Sequence, residues 1–316
     1  FNQVHGLNGS GRTPKGLTLD VVRAAGLEGD SMPMRSVHSI TVPGAPAGLA
    51  DTTARFGRLS LAANLQPAIE LAEGGVPVHE VAAHGWAAGA PLLQDSATNP
   101  HGRALLMPDG RAPRAGDVMV MPELAQTLRA LAAEGSDGFY RGRVAQAVVD
   151  ACQRLGGTMT LEDLAAHRSE LVEPLSATVS GVDVWEIPPN GQGITALIAL
   201  NILSGVDLAA LGGHNSPRYL HHVIEAMRLA FADTQHFVTD MEHYDVPVAG
   251  MLSQAYAAQR RQQIVSDRAM ADPVHGSPHD YSDTVYLSAV DGDGNACRSA
   301  DLLSISIRLS LSLTQI

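Results

Sequence analysis

Thr284 is placed where a hydroxyl could become a nucleophile. It opens a run of strand-forming residues, Thr284-Val285-Tyr286-Leu287-Ser288-Ala289-Val290, closed by a turn cluster from Asp291 to Asn295. A threonine hydroxyl is a poor nucleophile in water and needs a base within hydrogen-bond reach. A chain N-terminus carries its own base, an α-amino group with an ordinary pKa of about 7.7–8.0, so a good fraction accepts a proton near neutral pH. Breaking the Asp283–Thr284 bond would give Thr284 that base, which is the N-terminal-threonine variant of the catalytic triad. Threonine also starts strands routinely, and on spacing alone that plainer account is the stronger.

Other motif-like stretches carry less chemistry. Gly6-Leu7-Asn8-Gly9-Ser10-Gly11-Arg12-Thr13 nearly spells a phosphate-binding loop, but Arg12 replaces the lysine, and Pro14 and Gly16 obstruct the helix that should follow. Gly191-Gln192-Gly193-Ile194-Thr195-Ala196 fits a dinucleotide pattern, but Pro188-Pro189 prevents the tight turn. It reads as a glycine-rich helix start whose amides could hold an anionic or carbonyl group. His79 and His84 are five apart, and zinc on one helix face needs four. His275 and His279 have that spacing, but Gly276 and Pro278 exclude a helix between them. Asp291, Asp293 and Asn295 imitate a calcium loop, yet Ala296 and Leu302 stand where glycine and glutamate are required, so a β-turn is expected. His221-His222 reads as packing. No cofactor and no metal is expected.

Elements expected along the chain position these residues. Residues 1–20 read as a loop and 36–43 as a strand. Leu61, Leu65 and Ile69 predict a helix over 61–73, which Pro67 could divide. Residues 99–118 form a turn-rich excursion. Helices are predicted over 122–134, on Leu124, Leu128 and Leu131, and over 140–155, on Val144, Val148, Ala151 and Leu155. Thr160-Leu161-Glu162-Asp163 predicts a capping box. Leu175 to Ile187 predicts strand structure with a hairpin turn near Gly181, and Ile194–Leu203 an apolar helix. The clearest helix is 216–236, with Ser216 as N-cap, Pro217 in the first turn, and one stripe of Leu220, Ile224, Met227 and Phe231. A polar helix over 253–265 and a loop over 266–283 lead into Thr284.

The 316 residues suffice for a sizeable core, and 45% hydrophobic with 17% charged is a globular composition. A net charge of −12 without any basic cluster excludes a nucleic-acid binder. Cys152 and Cys297 are too few for a disulfide scaffold, so the compartment stays open. No apolar run approaches a membrane helix. The chain begins at Phe1, and its natural beginning is expected to be missing.

Several separate stretches resemble the gamma-glutamyltranspeptidase family, whose members are N-terminal nucleophile hydrolases. They are Asn8-Gly9-Ser10-Gly11-Arg12, Thr41-Val42-Pro43-Gly44-Ala45, Phe56-Gly57-Arg58-Leu59 and Pro67 to Gly75 in the first half. Pro188 to Gly193 with its helix, Glu225-Ala226-Met227-Arg228-Leu229-Ala230-Phe231-Ala232-Asp233, and Asp283 to Tyr286 with Val290-Asp291 and Gly294-Asn295-Ala296 follow in the second. The resemblance covers residues 7 to about 297. It implies an α+β fold, a four-layer αββα sandwich of the N-terminal nucleophile hydrolase type. It implies self-cleavage between Asp283 and Thr284 into a large-subunit region (1–283) and the start of a small one (284–316), forming a heterodimer. It also implies that Thr284 is the nucleophile, attacking a γ-glutamyl amide such as that of glutathione. Water or an amino acid or peptide would then accept the acyl group.

Two departures accompany it. No residue matches the family's N-terminal arginine for the substrate carboxylate. After Cys297 the sequence diverges into Arg298 to Ile316, where Ser alternates with Ile or Leu as in a strand with one apolar face, a pattern that also favours aggregation. The family's oxyanion glycines have no counterpart there, and each missing donor costs roughly 2.7–4 kcal/mol of transition-state stabilisation. Little or no activity is expected from this truncated stretch alone. A related amidase or acylase, and an inactive fragment serving only as a subunit or interaction partner, are the alternative readings.

Overall fold

The computed structural model describes residues 4–27, 29, 31–33, 35–93, 101–107, 109–278, 283–290 and 296–303. The chain divides into two units, Phe1–Pro174 and Leu175–Ile316. The expected division at Asp283–Thr284 is a different matter, a bond to be broken rather than a border between compact units.

The first unit runs β1 (Gly6–Asn8), α1 (Leu19–Ala24), α2 (Ala45–Phe56), α3 (Leu61–Gly74), β2 (Val76–Pro77), α4 (Glu80–Leu93), α5 (Gly102–Leu106), β3 (Val118–Met119), α6 (Pro122–Glu134), α7 (Asp137–Tyr140), α8 (Gly142–Arg154), α9 (Leu161–Ala166) and β4 (Glu170–Val172). β1 pairs antiparallel with β4, and β2 with β3. α3 packs on α6 through Leu65, Ile69, Ala72, Ala125 and Leu131. It runs unbroken through Pro67. α8 buries Val144, and it packs Ala145, Val149 and Cys152 against Tyr140, Met159 and Leu164. The expected capping box is present: the Thr160 hydroxyl accepts from the Asp163 amide, and the Asp163 carboxylate accepts from the Thr160 amide.

Residues 36–43 do not form the expected strand. The Ser36 hydroxyl accepts from the His38 amide and turns Val37–Ser39 into a single 3-10 turn. A local side-chain bond of this kind competes directly with a strand ladder.

The second unit comprises β5 (Leu175–Val179), β6 (Val182–Glu186), α10 (Gly193–Leu203), α11 (Pro217–Phe237), α12 (Val248–Met251), α13 (Gln254–Arg261), β7 (Asp283–Val290) and β8 (Ala296–Leu303). β5 and β6 form a hairpin turning at Ser180 and Gly181, both with positive φ (51° and 78°), as a tight two-residue turn requires. α10 is apolar all round and is buried accordingly, with Ile194, Leu197, Ile198 and Ile202 almost wholly covered. It packs on α11, and Ala199 and Leu203 with Ala226, Leu229 and Ala230 belong to the same core.

α11 begins as expected, with the Ser216 hydroxyl accepting from the Tyr219 amide and Pro217 in the first turn. Its buried face differs from the expected one. Leu220, Ile224 and Phe231 are 41%, 54% and 38% exposed. The covered residues are Glu225, Ala226, Leu229, Ala230, Asp233, Thr234 and Phe237. Small Ala226 and Ala230 face the Ile- and Leu-rich α10 and allow close approach, so bulk alone does not mark the core side. No helix among the described residues is long and apolar enough to cross a membrane.

Candidate active site

β7 places the candidate nucleophile. Asp283 is its first residue and Thr284 its second; they lie opposite Leu303 and Leu302 of β8, and the register continues to Val290 opposite Ala296. The strand expected from Thr284 onward is therefore present, and it ends where the turn cluster begins. The side chains of both strands lie outside the described part of the structure, as do residues 291–295 and the alternating tail from Ser304 to Ile316. The calcium-like Asp291, Asp293 and Asn295 fall in that gap. The roles of Asp283 and Thr284 therefore stand as sequence expectations, and backbone register is what the structure adds.

Upstream of the junction lies a buried polar core that spacing did not reveal. On α11, Arg228 donates to Glu225 at 2.8 Å, while Arg260 of α13 lies 3.1 Å from the Asp233 carboxylate. Glu225, Asp233 and Arg260 are each at most 1% exposed. Buried charges of this kind persist only when paired and hydrogen-bonded. For Asp233, burial pushes the carboxyl up, against the pull of the Gly276 amide and Arg260. For Glu225, burial also acts upward, but the Met270 amide and Arg228 outweigh it and hold the carboxyl below its ordinary value. Burial, followed by the Asp233 charge, pushes the Tyr256 hydroxyl up. Each charge also reaches the backbone of residues 270–276. The signal available in the sequence was Glu225, Arg228 and Asp233 in one motif; Arg260 has no spacing that ties it to them.

The first unit carries a second motif cluster of another kind. The Asn8–Arg12 loop is joined to Val42–Ala45: the Val42 amide donates to the Arg12 carbonyl at 3.0 Å. A Cβ on Gly11 would strike the Val42 carbonyl, and one on Gly44 would strike the Gly9 carbonyl. The Asn8 side chain accepts from the Ser10 amide, a turn rather than a phosphate cradle. Tyr140 donates to the Pro43 carbonyl at 2.6 Å and accepts from the Ala47 amide at 3.2 Å, and His167 stacks on its ring. Burial holds His167 below its ordinary pKa.

The remaining sequence candidates find plain partners. Gly193 is the first residue of α10, and a Cβ there would meet the Glu186 side chain. His79 accepts from the Val81 amide at the start of α4. His221 and His222 bond the carbonyls of Val265 and Arg218. His275 stacks on His236 with centroids 3.5 Å apart, and His279 lies outside the described residues. Among the described residues, Asp240, Glu242 and His243 have metal-like spacing, but they sit on an exposed turn where Asp240 accepts from the Glu242 amide. An open cleft of about 650 Å³ in the first unit is lined by Asp51, Arg58, Ser60, Ser136 and Asp137 among others, and by none of the junction residues.

Residues 2–299 match the sequence profile described as gamma-glutamyltranspeptidase. The chain belongs to the gamma-glutamyltranspeptidase family. The match ends two residues beyond Cys297, close to where the resemblance was expected to stop. The chain is 36% identical over 290 residues to the glutathione hydrolase-like YwrD proenzyme of Bacillus subtilis, covering 92% of this chain and 53% of that protein. It is 34% identical over 267 residues to the acylase ACY 1 proenzyme of a Pseudomonas species (strain SE83), covering 84% and 47%. The crystal structure of cephalosporin acylase from Bacillus halodurans superposes with a TM-score of 0.79 at 41% identity, covering 94% of this chain and 54% of that one. The chain thus spans about half the length of the curated relatives it matches. Its α+β fold is that of the family's N-terminal nucleophile hydrolases, and the relatives are enzymes named as proenzymes.

Proposed function

We propose that Thr284 is the nucleophile of a self-processed amide hydrolase and acyl transferase. The observation that carries this is a family match running through the Asp283–Thr284 junction, with relatives named as proenzymes. In the first reaction the Thr284 hydroxyl attacks the Asp283 carbonyl carbon. The C–N bond breaks as an ester to Thr284 forms, and water releases the Asp283 carboxylate. Thr284 then carries a free α-amino group, which takes the hydroxyl proton in later turnovers. In the second reaction the same oxygen attacks a γ-glutamyl amide such as that of glutathione, the amine leaves with a proton, and an acyl-enzyme remains. Water completes hydrolysis; an amino acid or peptide completes transfer. The two pieces stay together as large and small subunits, and the reaction needs no cofactor.

A mass spectrum of the purified, incubated chain tests this. A fragment beginning at Thr284 is expected, and it is absent in Thr284→Ala. An intact chain would sink the proposal and leave the inactive-fragment reading; release of product from a γ-glutamyl anilide, expected to be weak or absent from this stretch alone, would support the second reaction.

A second reading concerns the acyl group. The 41% identity to a cephalosporin acylase and the 34% identity to an acylase proenzyme favour an acylase that uses the same nucleophile. Release of product from an N-acyl cephalosporin but not from the γ-glutamyl anilide decides for it.

A further inference from the structure

The charges buried on α11 and α13 hold one segment of loop by its backbone. Arg228 donates to the carbonyls of Met270 at 2.7 Å and Ala271 at 2.8 Å, and Glu225 accepts from the Met270 amide at 3.0 Å. Arg260 donates to the Val274 carbonyl at 2.8 Å, and Asp233 accepts from the Gly276 amide at 2.8 Å. Gly276 is pressed against the Tyr256 ring, where a Cβ would collide with the hydroxyl. A Cβ on Gly250 would likewise strike the Pro278 carbonyl, and Pro278 is itself buried.

A loop that merely covered a core would bury its own apolar side chains. Here Met270 and Pro278 rest on the core at the two ends, but Val274 between them is 69% exposed while its carbonyl is held by Arg260. What the protein fixes is the path of the main chain from Met270 to Pro278, at the cost of burying Glu225, Asp233 and Arg260. Thr284 lies six residues beyond Pro278, a reach of at most ~20 Å at 3.3–3.6 Å per residue.

We propose that this clamp is a positioning device for cleavage before Thr284, a proposal that rests on the reading of Thr284 given above. Glu225, Arg228, Asp233 and Arg260 anchor the upstream end of the segment to be cut. Fixing Pro278 confines the Asp283 carbonyl to the reach of the tether between them, so less entropy is lost in reaching the attack geometry than from an unanchored segment. After the cut, the same clamp keeps the new carboxyl terminus of the upstream piece within its tether of Pro278.

The experiment follows cleavage of the full chain over time by mass spectrometry. Two variants leave the buried Asp233–Arg260 pair intact. Arg228→Met removes the donor to Met270 and Ala271 from a side chain that is 32% exposed. Gly276→Ala lifts the segment off Tyr256 without altering a charge. Both are expected to slow the appearance of the Thr284 fragment on the order of tenfold or more, the scale of a small misplacement at a reacting bond. Arg228→Lys, which keeps a donor, is expected to regain much of the rate. Urea midpoints measured alongside separate positioning from folding, because a purely structural role would change the midpoint and the rate together. Wild-type cleavage rates in both Arg228→Met and Gly276→Ala overturn the clamp alone. Absence of the fragment from the wild-type chain overturns the reading of Thr284, and the clamp with it.

Discussion

The two motif clusters solve one problem by opposite means. Each pins a backbone segment against a helical core. In the first unit the contact between Asn8–Arg12 and Val42–Ala45 depends on missing side chains, since Gly11 and Gly44 leave room for carbonyls. Tyr140 adds a neutral hydrogen bond to the Pro43 carbonyl. In the second unit the contact between α11, α13 and residues 270–276 depends on charge, with Arg260 and Asp233 almost wholly buried. A steric joint fails when atoms are added. An ionic joint fails when one partner is removed, because the survivor stays buried and unpaired. The difference suits their places in the chain: the charged joint holds Gly276, seven positions in sequence before Asp283, the residue on one side of the bond that is proposed to break.

The largest test removes one charge. Arg260→Met is expected to destabilise by about 3–5 kcal/mol, because Asp233 is left buried without its cation. Asp233→Asn combined with Arg260→Met should recover part of that loss. Urea unfolding measures both, and a single-variant cost below about 1 kcal/mol would mean that the pair is not the joint described here.

Adding atoms to the neutral joint comes next. Gly11→Ala drives a methyl group into the Val42 carbonyl, with an expected cost of about 1–3 kcal/mol. Gly74→Ala serves as the control. It meets nothing within 4 Å at the end of α3 and should be neutral, or gain up to about 1 kcal/mol. Equal melting temperatures for the two variants would remove the steric half of the comparison.

The smallest effect is a pH dependence. For Asp163, burial pushes the carboxyl up, but the Lys15 amide and the Thr160 hydroxyl and amide outweigh it, leaving it below its ordinary 3.8. A carboxylate depressed in the folded state stabilises above its unfolded pKa, and that contribution is lost as the pH falls through the folded value. Asp163→Asn should therefore be less stable than wild type near neutral pH, and the gap should close as the pH falls below 3.8. Asp233, pushed up by burial, has the opposite sign: its ionisation weighs against folding as the pH rises past 3.8. Acid titration of Asp163→Asn, followed by urea midpoint, checks the first; a gap that is constant with pH would contradict it.

Local signals were legible wherever neighbours in the chain decide the outcome. Ser216 caps α11, Thr160 and Asp163 form the capping box, and Gly181 turns the β5–β6 hairpin, each through bonds or backbone angles within a few residues. The apolar run of α10 could only be a buried helix. α2 and α4 carried no such signal, because Pro46 and Gly48, then Gly85, Gly89 and Pro91, weaken their helical pattern. Packing against neighbours overrides that weakness. The stripe on α11 misled because it counted large side chains, whereas Ala226 and Ala230 make the contact with α10. The capping serine at position 36 turned an alternating stretch into a 3-10 turn.

By itself, then, the sequence determined the family, through short motifs whose residue types are individually readable, and it offered Thr284 as the nucleophile proposed above. It also determined the strand that begins at the junction, through a run of β-formers bounded by a turn cluster. Only the tertiary structure decided that Arg260 answers Asp233, that α11 turns its charged face inward, and that residues 270–278 are held by their main chain. The physical reason is that carbonyls and amides are the same in every residue. Which of them a buried arginine will meet is set by packing, and no letter of the sequence records it.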